Sequence, residues 1–163
     1  MNARAFRRPE SVLVIIHDDN ARVLLLRRAD LGFWQSVTGS LDAGEDDPRQ
    51  AASREIAEET GLDVPPATLR DWRVEHHFRI LPELASRFAP GTTSNTEHLF
   101  SLAVGPGRAV RADPAEHDRI GWFDAGEALA MSWSWSNRLA IRRVLGVDPD
   151  HDPRRFLGDG HSA

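Results

Sequence analysis

The chain has 163 residues, 40% hydrophobic and 28% charged, with a formal net charge of −5. That length suits one domain with a single core, and the acidic balance excludes a general nucleic-acid coat, which needs a basic stripe against the phosphate backbone. With no cysteine, disulfides and thiolate metal sites are excluded as well.

Every one of the 20 basic residues is arginine, a planar fork suited to phosphate, so a basic pocket for one small triphosphate stays open. Residues 1–8 are polar and lead into no long apolar region, so no signal peptide is expected. The longest apolar run, residues 12–16, is far too short to span a bilayer, and a cytoplasmic protein without membrane or nucleic-acid-polymer partners is expected.

Residues 12–16 (Val-Leu-Val-Ile-Ile) read as a strand buried on both faces. Asp18, Asp19 and Asn20 form a turn, and residues 23–26 a second strand of the same hairpin, with Arg27 and Arg28 at its far end. Residues 33–38 (Phe-Trp-Gln-Ser-Val-Thr) run into Gly39 and a glycine-containing loop that carries Asp42 and Glu45. A helix follows. Asp47 offers its N-cap, Pro48 suits its first position, Gln50 completes a capping-box pattern, and Gly61 sits where a C′ glycine ends it.

Inside that helix Glu55, Glu58 and Glu59 stand at i, i+3 and i+4 and share one sector of its surface. Like charges so placed repel, which leaves two readings: a solvated acidic face, or a site for a hard divalent cation. Mg²⁺ fits the second, with Mn²⁺ able to substitute, because it takes carboxylate oxygens and completes its shell with water and substrate phosphates. Arg54 precedes Glu58 by one turn and can orient an acid.

Pro65 and Pro66 close this unit, and residues 69–80 read as a long strand interrupted at His76 and His77. Those two neighbours point to opposite faces of a strand, which argues against a shared zinc ion. Residues 82–95 are an irregular excursion beside the site, residues 96–104 another strand, and residues 120–123 a short one. Asp124 can cap a short helix through Met131, and Ser134 or Ser136 a longer one to about Leu145, with Leu139, Ile141, Val144 and Leu145 inward. From Asp148 the chain is rich in Asp, His, Pro and Gly, and a poorly ordered tail is expected after a domain spanning residues 1–147. This order of elements gives an α+β fold, an α/β/α sandwich with a mixed sheet between helices.

Taken together, Gly39, Glu45, Arg54, Glu55, Glu58, Glu59 and Gly61 resemble the signature of the Nudix family, Mg²⁺-dependent pyrophosphohydrolases built on that sandwich. Residues 46–53 hold one residue more than the usual pattern, placed between Glu45 and the Asp47 cap, where it lengthens the loop and spares the helical spacing. Residues 33–40, 87–91, 95–97, Glu116-His117 and 134–138 resemble the branch of that family that removes pyrophosphate from dihydroneopterin triphosphate in folate biosynthesis. Branches acting on ordinary or oxidised nucleoside triphosphates, and inactive nucleotide-binding modules, remain as alternatives.

The resemblance implies catalytic roles for Arg54, Glu55, Glu58, Glu59 and Glu116. It implies metal contacts from Glu55, Glu59, Glu116 and the backbone at Gly39. It also implies substrate contacts from Arg7, Arg27, Thr38, Phe78, Arg79, Ile80, Leu81 and Ser134. Arg7 and Arg27 can grip phosphate oxygens, and Phe78 can stack on a flat pterin ring. The implied partner is a small-molecule triphosphate. Oligomeric state is left open.

Overall fold

A computed structural model describes residues 6–147. The expected tail from Asp148 lies outside the described residues.

One mixed sheet of seven strands organises the described chain: β1 (Glu10–Asp18), β2 (Val23–Arg28), β3 (Trp34–Gln35), β4 (Val37–Ser40), β5 (Arg70–Arg79), β6 (Ser94–Val104) and β7 (His117–Phe123). Three helices pack on it: α1 (Pro48–Thr60), α2 (Ala125–Met131) and α3 (Trp135–Leu145). Among the described residues no helix is long and apolar enough to cross a membrane.

Strand β1 is the axis. It runs parallel to β6 from Glu10↔Thr96 to Asp18↔Val104, and its other edge is shared. The first half pairs with β4 from Ser11↔Ser40 to Val14↔Val37, while the last turn of the hairpin pairs His17 with Val23 of β2. β2 and β4 therefore splay apart along one edge.

The alternation of β1 supplies a core on each face, which is why its sequence reads as an unbroken apolar run. Val12, Val14 and Ile16 pack with Leu24, Leu26 and the Ala51, Ala52 and Ile56 face of α1. Leu13 and Ile15 pack with Val23, Leu25, Leu99 and the helices α2 and α3 through Ala128, Leu129, Ala140 and Ile141.

Several boundaries depart from the sequence expectations. Residues 33–38 form two short strands, β3 and β4, on their way to the loop. Asp47 caps α1 by accepting from the Arg49 N–H at 2.9 Å, and Gln50 does not return the bond, so no capping box forms there. The box occurs at α2, between Asp124 and Glu127. Gly61 ends α1 at φ 73°, a left-handed conformation that glycine adopts without Cβ strain.

Strand β5 is continuous through His76 and His77. Its irregularity falls between Asp71 and Glu75, where Arg73 has φ 52° and donates its N–H to the Asp71 carboxylate at 2.8 Å.

In α3 the N-cap is Ser134, and Leu139 is only half-buried and outside both core clusters. The buried residues at its first turns are polar. Asn137 accepts from the Ser36 N–H at 2.8 Å and donates to Ser36 Oγ at 2.9 Å, tying α3 to the β3–β4 corner.

Because Ile56 is fully buried beneath α1, Ile56→Ala is expected to cost about 2–5 kcal/mol through lost transfer energy and a residual cavity. Glu58→Ala, on the outer side of the same helix with a side chain 57% exposed, is expected to cost less than about 1 kcal/mol. Chemical denaturation of both variants checks the pair; equal losses would mean that α1 is not seated through Ile56.

Candidate active site

The splay of β2 from β4 opens a cavity of about 1060 Å³, lined from both halves of the molecule. At one end stand the carboxylates of α1. The inner stripe of that helix runs Ala52, Glu55, Ile56 and Glu59, so two acids occupy positions that a core-facing helix gives to apolar residues. Glu59 is 3% exposed.

Facing them is Gly39, on β4. A Cβ built there would overlap the Glu55 carboxylate, so only glycine lets strand and acid approach this closely. Thr38 beside it lines the cavity and donates Oγ1–H to the Val12 carbonyl at 2.8 Å.

Arg54 clamps loop to helix. Its Nε and Nη2 meet the two oxygens of Glu45 at 2.9 and 3.0 Å, and Nη2 also donates to the Ser40 carbonyl at 3.0 Å. Nη1 donates to Glu55 at 2.8 Å and to the more exposed Glu58 at 3.2 Å. Glu45 therefore keeps a defined role despite the additional loop residue. Its carboxyl, held by Arg54, sits below the usual range, and it accepts the Asp42 N–H at 2.7 Å.

Glu116 arrives from the turn before β7. That turn is pinned by Asp113, whose carbonyl accepts the N–H groups of Glu116 and His117 at 3.1 and 2.8 Å. One ligand atom from each of Glu59, Glu116 and His117 lies within 4.8 Å of the others. Burial pushes the Glu55 carboxyl up to about 7 and raises that of Glu59 well above the usual range, and the mutual repulsion of the acids adds to both. Burial holds the His117 imidazole below the ordinary histidine range.

The group fits a divalent cation on three counts. Glu59 Oε2 is buried with no hydrogen-bond partner. The Gly39 contact holds Glu55 against the strand backbone. Carboxylate oxygens dominate the donor set.

Of the residues expected to bind substrate, Arg7, Thr38, Phe78, Arg79, Ile80, Leu81 and Ser134 all line the cavity. Arg7 is placed by pairing with Phe88 and by its N–H to the Arg87 carbonyl at 2.8 Å, so the excursion after β5 does border the site.

Arg27 does not line it. Its guanidinium is tied to Asp118 on the far side of β2, and the cavity-lining arginine is its neighbour Arg28. Alternation along β2 explains the exchange: Arg28 follows Leu24 and Leu26 on the α1 side, and Arg27 follows Val23 and Leu25 on the other. Asp118, left over between the Arg27–Arg119 and Arg28–His117 pairs, meets Arg27 there. Arg28, paired with Asp30, lies within electrostatic reach of Glu59 and Glu116.

The cavity's second end holds the expected Phe78 and Ser134, together with tryptophans that the sequence expectation did not include among the substrate contacts. There Trp133 and Trp135 line the wall, with Trp133 stacked on Phe33 at 4.8 Å. The buried His76 makes a 3.3 Å contact with the buried Glu97, while His77 points outward. Trp34 packs into the core against Phe123. Strand alternation separates His76 from His77, as it does Arg28 from Arg27; the places of the tryptophans need tertiary contacts that no local pattern carries.

A raised carboxyl pKa means that the folded state holds its proton more tightly than the unfolded chain. In cation-free protein this contribution is complete below about pH 4.5, the ordinary glutamate value, and is lost as pH rises through about 7. Glu55→Gln, which carries no charge, is therefore expected to gain stability relative to the unaltered chain across that window. Urea denaturation in chelator at several pH values measures the difference; a pH-independent difference would contradict the burial of Glu55 as a charge.

Comparison with known proteins agrees with this geometry. A NUDIX domain model matches residues 7–144. An Escherichia coli K12 protein named dihydroneopterin triphosphate diphosphatase is 46% identical over 149 residues, which cover 89% of this chain and 97% of that protein. A Haemophilus influenzae protein of the same name is 35% identical over 144 residues, covering 86% and 89% respectively. The solved structure of the E. coli dihydroneopterin triphosphate pyrophosphohydrolase superposes with a TM-score of 0.81 at 43% identity, over 88% of this chain and 99% of that one. With its carboxylate helix, glycine strand and arginine clamp in place, the chain belongs to the Nudix hydrolase family.

Proposed function

We propose that this chain is a Mg²⁺-dependent pyrophosphohydrolase that converts dihydroneopterin triphosphate and water to dihydroneopterin monophosphate and pyrophosphate. The observation that carries the reading is one cavity joining two unlike ends, buried carboxylates at the first and Phe78, Trp133 and Trp135 at the second. A triphosphate with a flat ring has the same polarity. The names of the E. coli and H. influenzae relatives supply the ring, a dihydropterin.

Glu55, Glu59 and Glu116 are the residues that would hold the cation, with Mn²⁺ able to replace Mg²⁺. Bound there, such an ion neutralises phosphate oxygens and lowers the pKa of water.

The chain's own residues do the rest. Arg54 fixes the Glu55 carboxylate from one side, and the Gly39 backbone confines it from the other. Arg28 and Arg7, both lining the cavity, can present guanidinium groups to the phosphate chain. Glu58, bonded to the same Arg54, shares in orienting it. Phe78 and the segment Arg79, Ile80 and Leu81 border the ring end, and Ser134 opens α3 beside it. The substrate is a small molecule, so neither a nucleic-acid polymer nor a membrane is required, and the cytoplasm is the compartment this reading assigns.

Incubation with dihydroneopterin triphosphate and Mg²⁺, followed by phosphorus NMR, is expected to show pyrophosphate and the monophosphate. Glu59→Gln keeps the shape but removes a ligand charge, and is expected to lower kcat by at least ~10²-fold. Orthophosphate as the first product, or near-normal turnover in Glu59→Gln, would contradict the proposal.

A further inference from the structure

His117 is a buried side chain for which the chemistry above has no use. It is 2% exposed and lines the cavity, and neither Nδ1 nor Nε2 has a hydrogen-bond partner. Buried polar atoms are rarely left so, because each gives up its hydration for nothing.

Its position is enforced by the backbone. The bulge at Asp118 sets His117 opposite Arg28, and the Asp113 carbonyl accepts its N–H at 2.8 Å. The strand neighbour on the other side, Asp118, is occupied by Arg27. The ring that results shares a 4.8 Å cluster with Glu116 and with Glu59, whose Oε2 is likewise buried and unpartnered.

We propose that His117 is a nitrogen ligand of the divalent cation held at Glu59 and Glu116, and that it biases the site toward Mn²⁺ or Co²⁺ over Mg²⁺. Mg²⁺ takes oxygen donors almost exclusively, whereas imidazole is a favourable donor to first-row transition-metal ions. The inference rests on the cation site assigned under the proposed function and adds to it a ligand and a selectivity.

The test uses the full-length, metal-free protein without substrate, so its result does not depend on which triphosphate is cleaved. Mn²⁺ is titrated with the free ion read by electron paramagnetic resonance, Mg²⁺ by competition, and pulsed measurements read nitrogen coupling to the bound ion. The native chain is expected to show histidine ¹⁴N coupling. In His117→Gln that coupling disappears and the Mn²⁺ Kd weakens roughly tenfold or more, while the Mg²⁺ Kd moves by less than about threefold. A thermal melt of the metal-free variant confirms that it is folded, and the native spectrum stands without any variant.

Mn²⁺ bound with no nitrogen coupling, but released by Glu59→Gln, would overturn the role of His117 and leave the carboxylate site intact. Mn²⁺ binding that Glu59→Gln leaves unchanged would overturn both.

Discussion

Negative charge held inside the fold is the constraint on which this structure depends. Glu55 and Glu59 replace apolar residues on the inner stripe of α1, which they share with Ala52 and Ile56. Two carboxylates there cost far more than two leucines would, and the cost is met by compensating positive charge or, in cation-free protein, by retained protons. The surroundings answer this need: Arg54 of the same helix bonds Glu55, Arg28 approaches from β2, and Gly39 gives up a side chain so that Glu55 fits. What the protein does not supply in full is a partner for Glu59, whose buried Oε2 has none. A site that is electrostatically incomplete by itself is well suited to a divalent ion and a triphosphate arriving together.

The sheet converts that local arrangement into a reaction chamber. Because β1 gives one half of its edge to β4 and the end of it to β2, the sheet opens without losing its central parallel pair with β6. The acidic helix closes one side of the opening and α3 the other. The Ser36–Asn137 pair fixes the corner between them, 101 residues apart in the chain. On the proposed reading this topology sets the substrate's polarity, with phosphate toward α1 and ring toward α3.

Features with a local cause were readable from the sequence. The apolar run of β1 announced a strand with two covered faces, and Asp47, Pro48 and Gly61 bracketed α1 at its observed ends. The spacing of Glu55 and Glu59 announced a shared face, though not that the face turned inward.

Features set by a distant partner were not readable. Choosing between Arg27 and Arg28 requires knowing which face of β2 meets α1, the face of Leu24 and Leu26 that Arg28 continues. The irregularity of β5 is an exception with a local cause, the Asp71 side chain that stabilises the Arg73 backbone, and the His76–His77 doublet where it was expected is regular strand. Polar burial at the start of α3 follows from Ser36, far upstream. The cluster of Glu116 and His117 with Glu59 likewise exists only once β7 docks on β2.

The most direct test of the account compares kcat/KM for dihydroneopterin triphosphate with that for each common deoxynucleoside triphosphate, by pyrophosphate release with Mg²⁺ at sub-saturating concentration. The account predicts a preference of about tenfold or more for the pterin, equivalent to about 1.4 kcal/mol of transition-state discrimination. Preference for a purine nucleotide would keep the fold and the cation chemistry but contradict the assignment of the aromatic end of the cavity to a pterin.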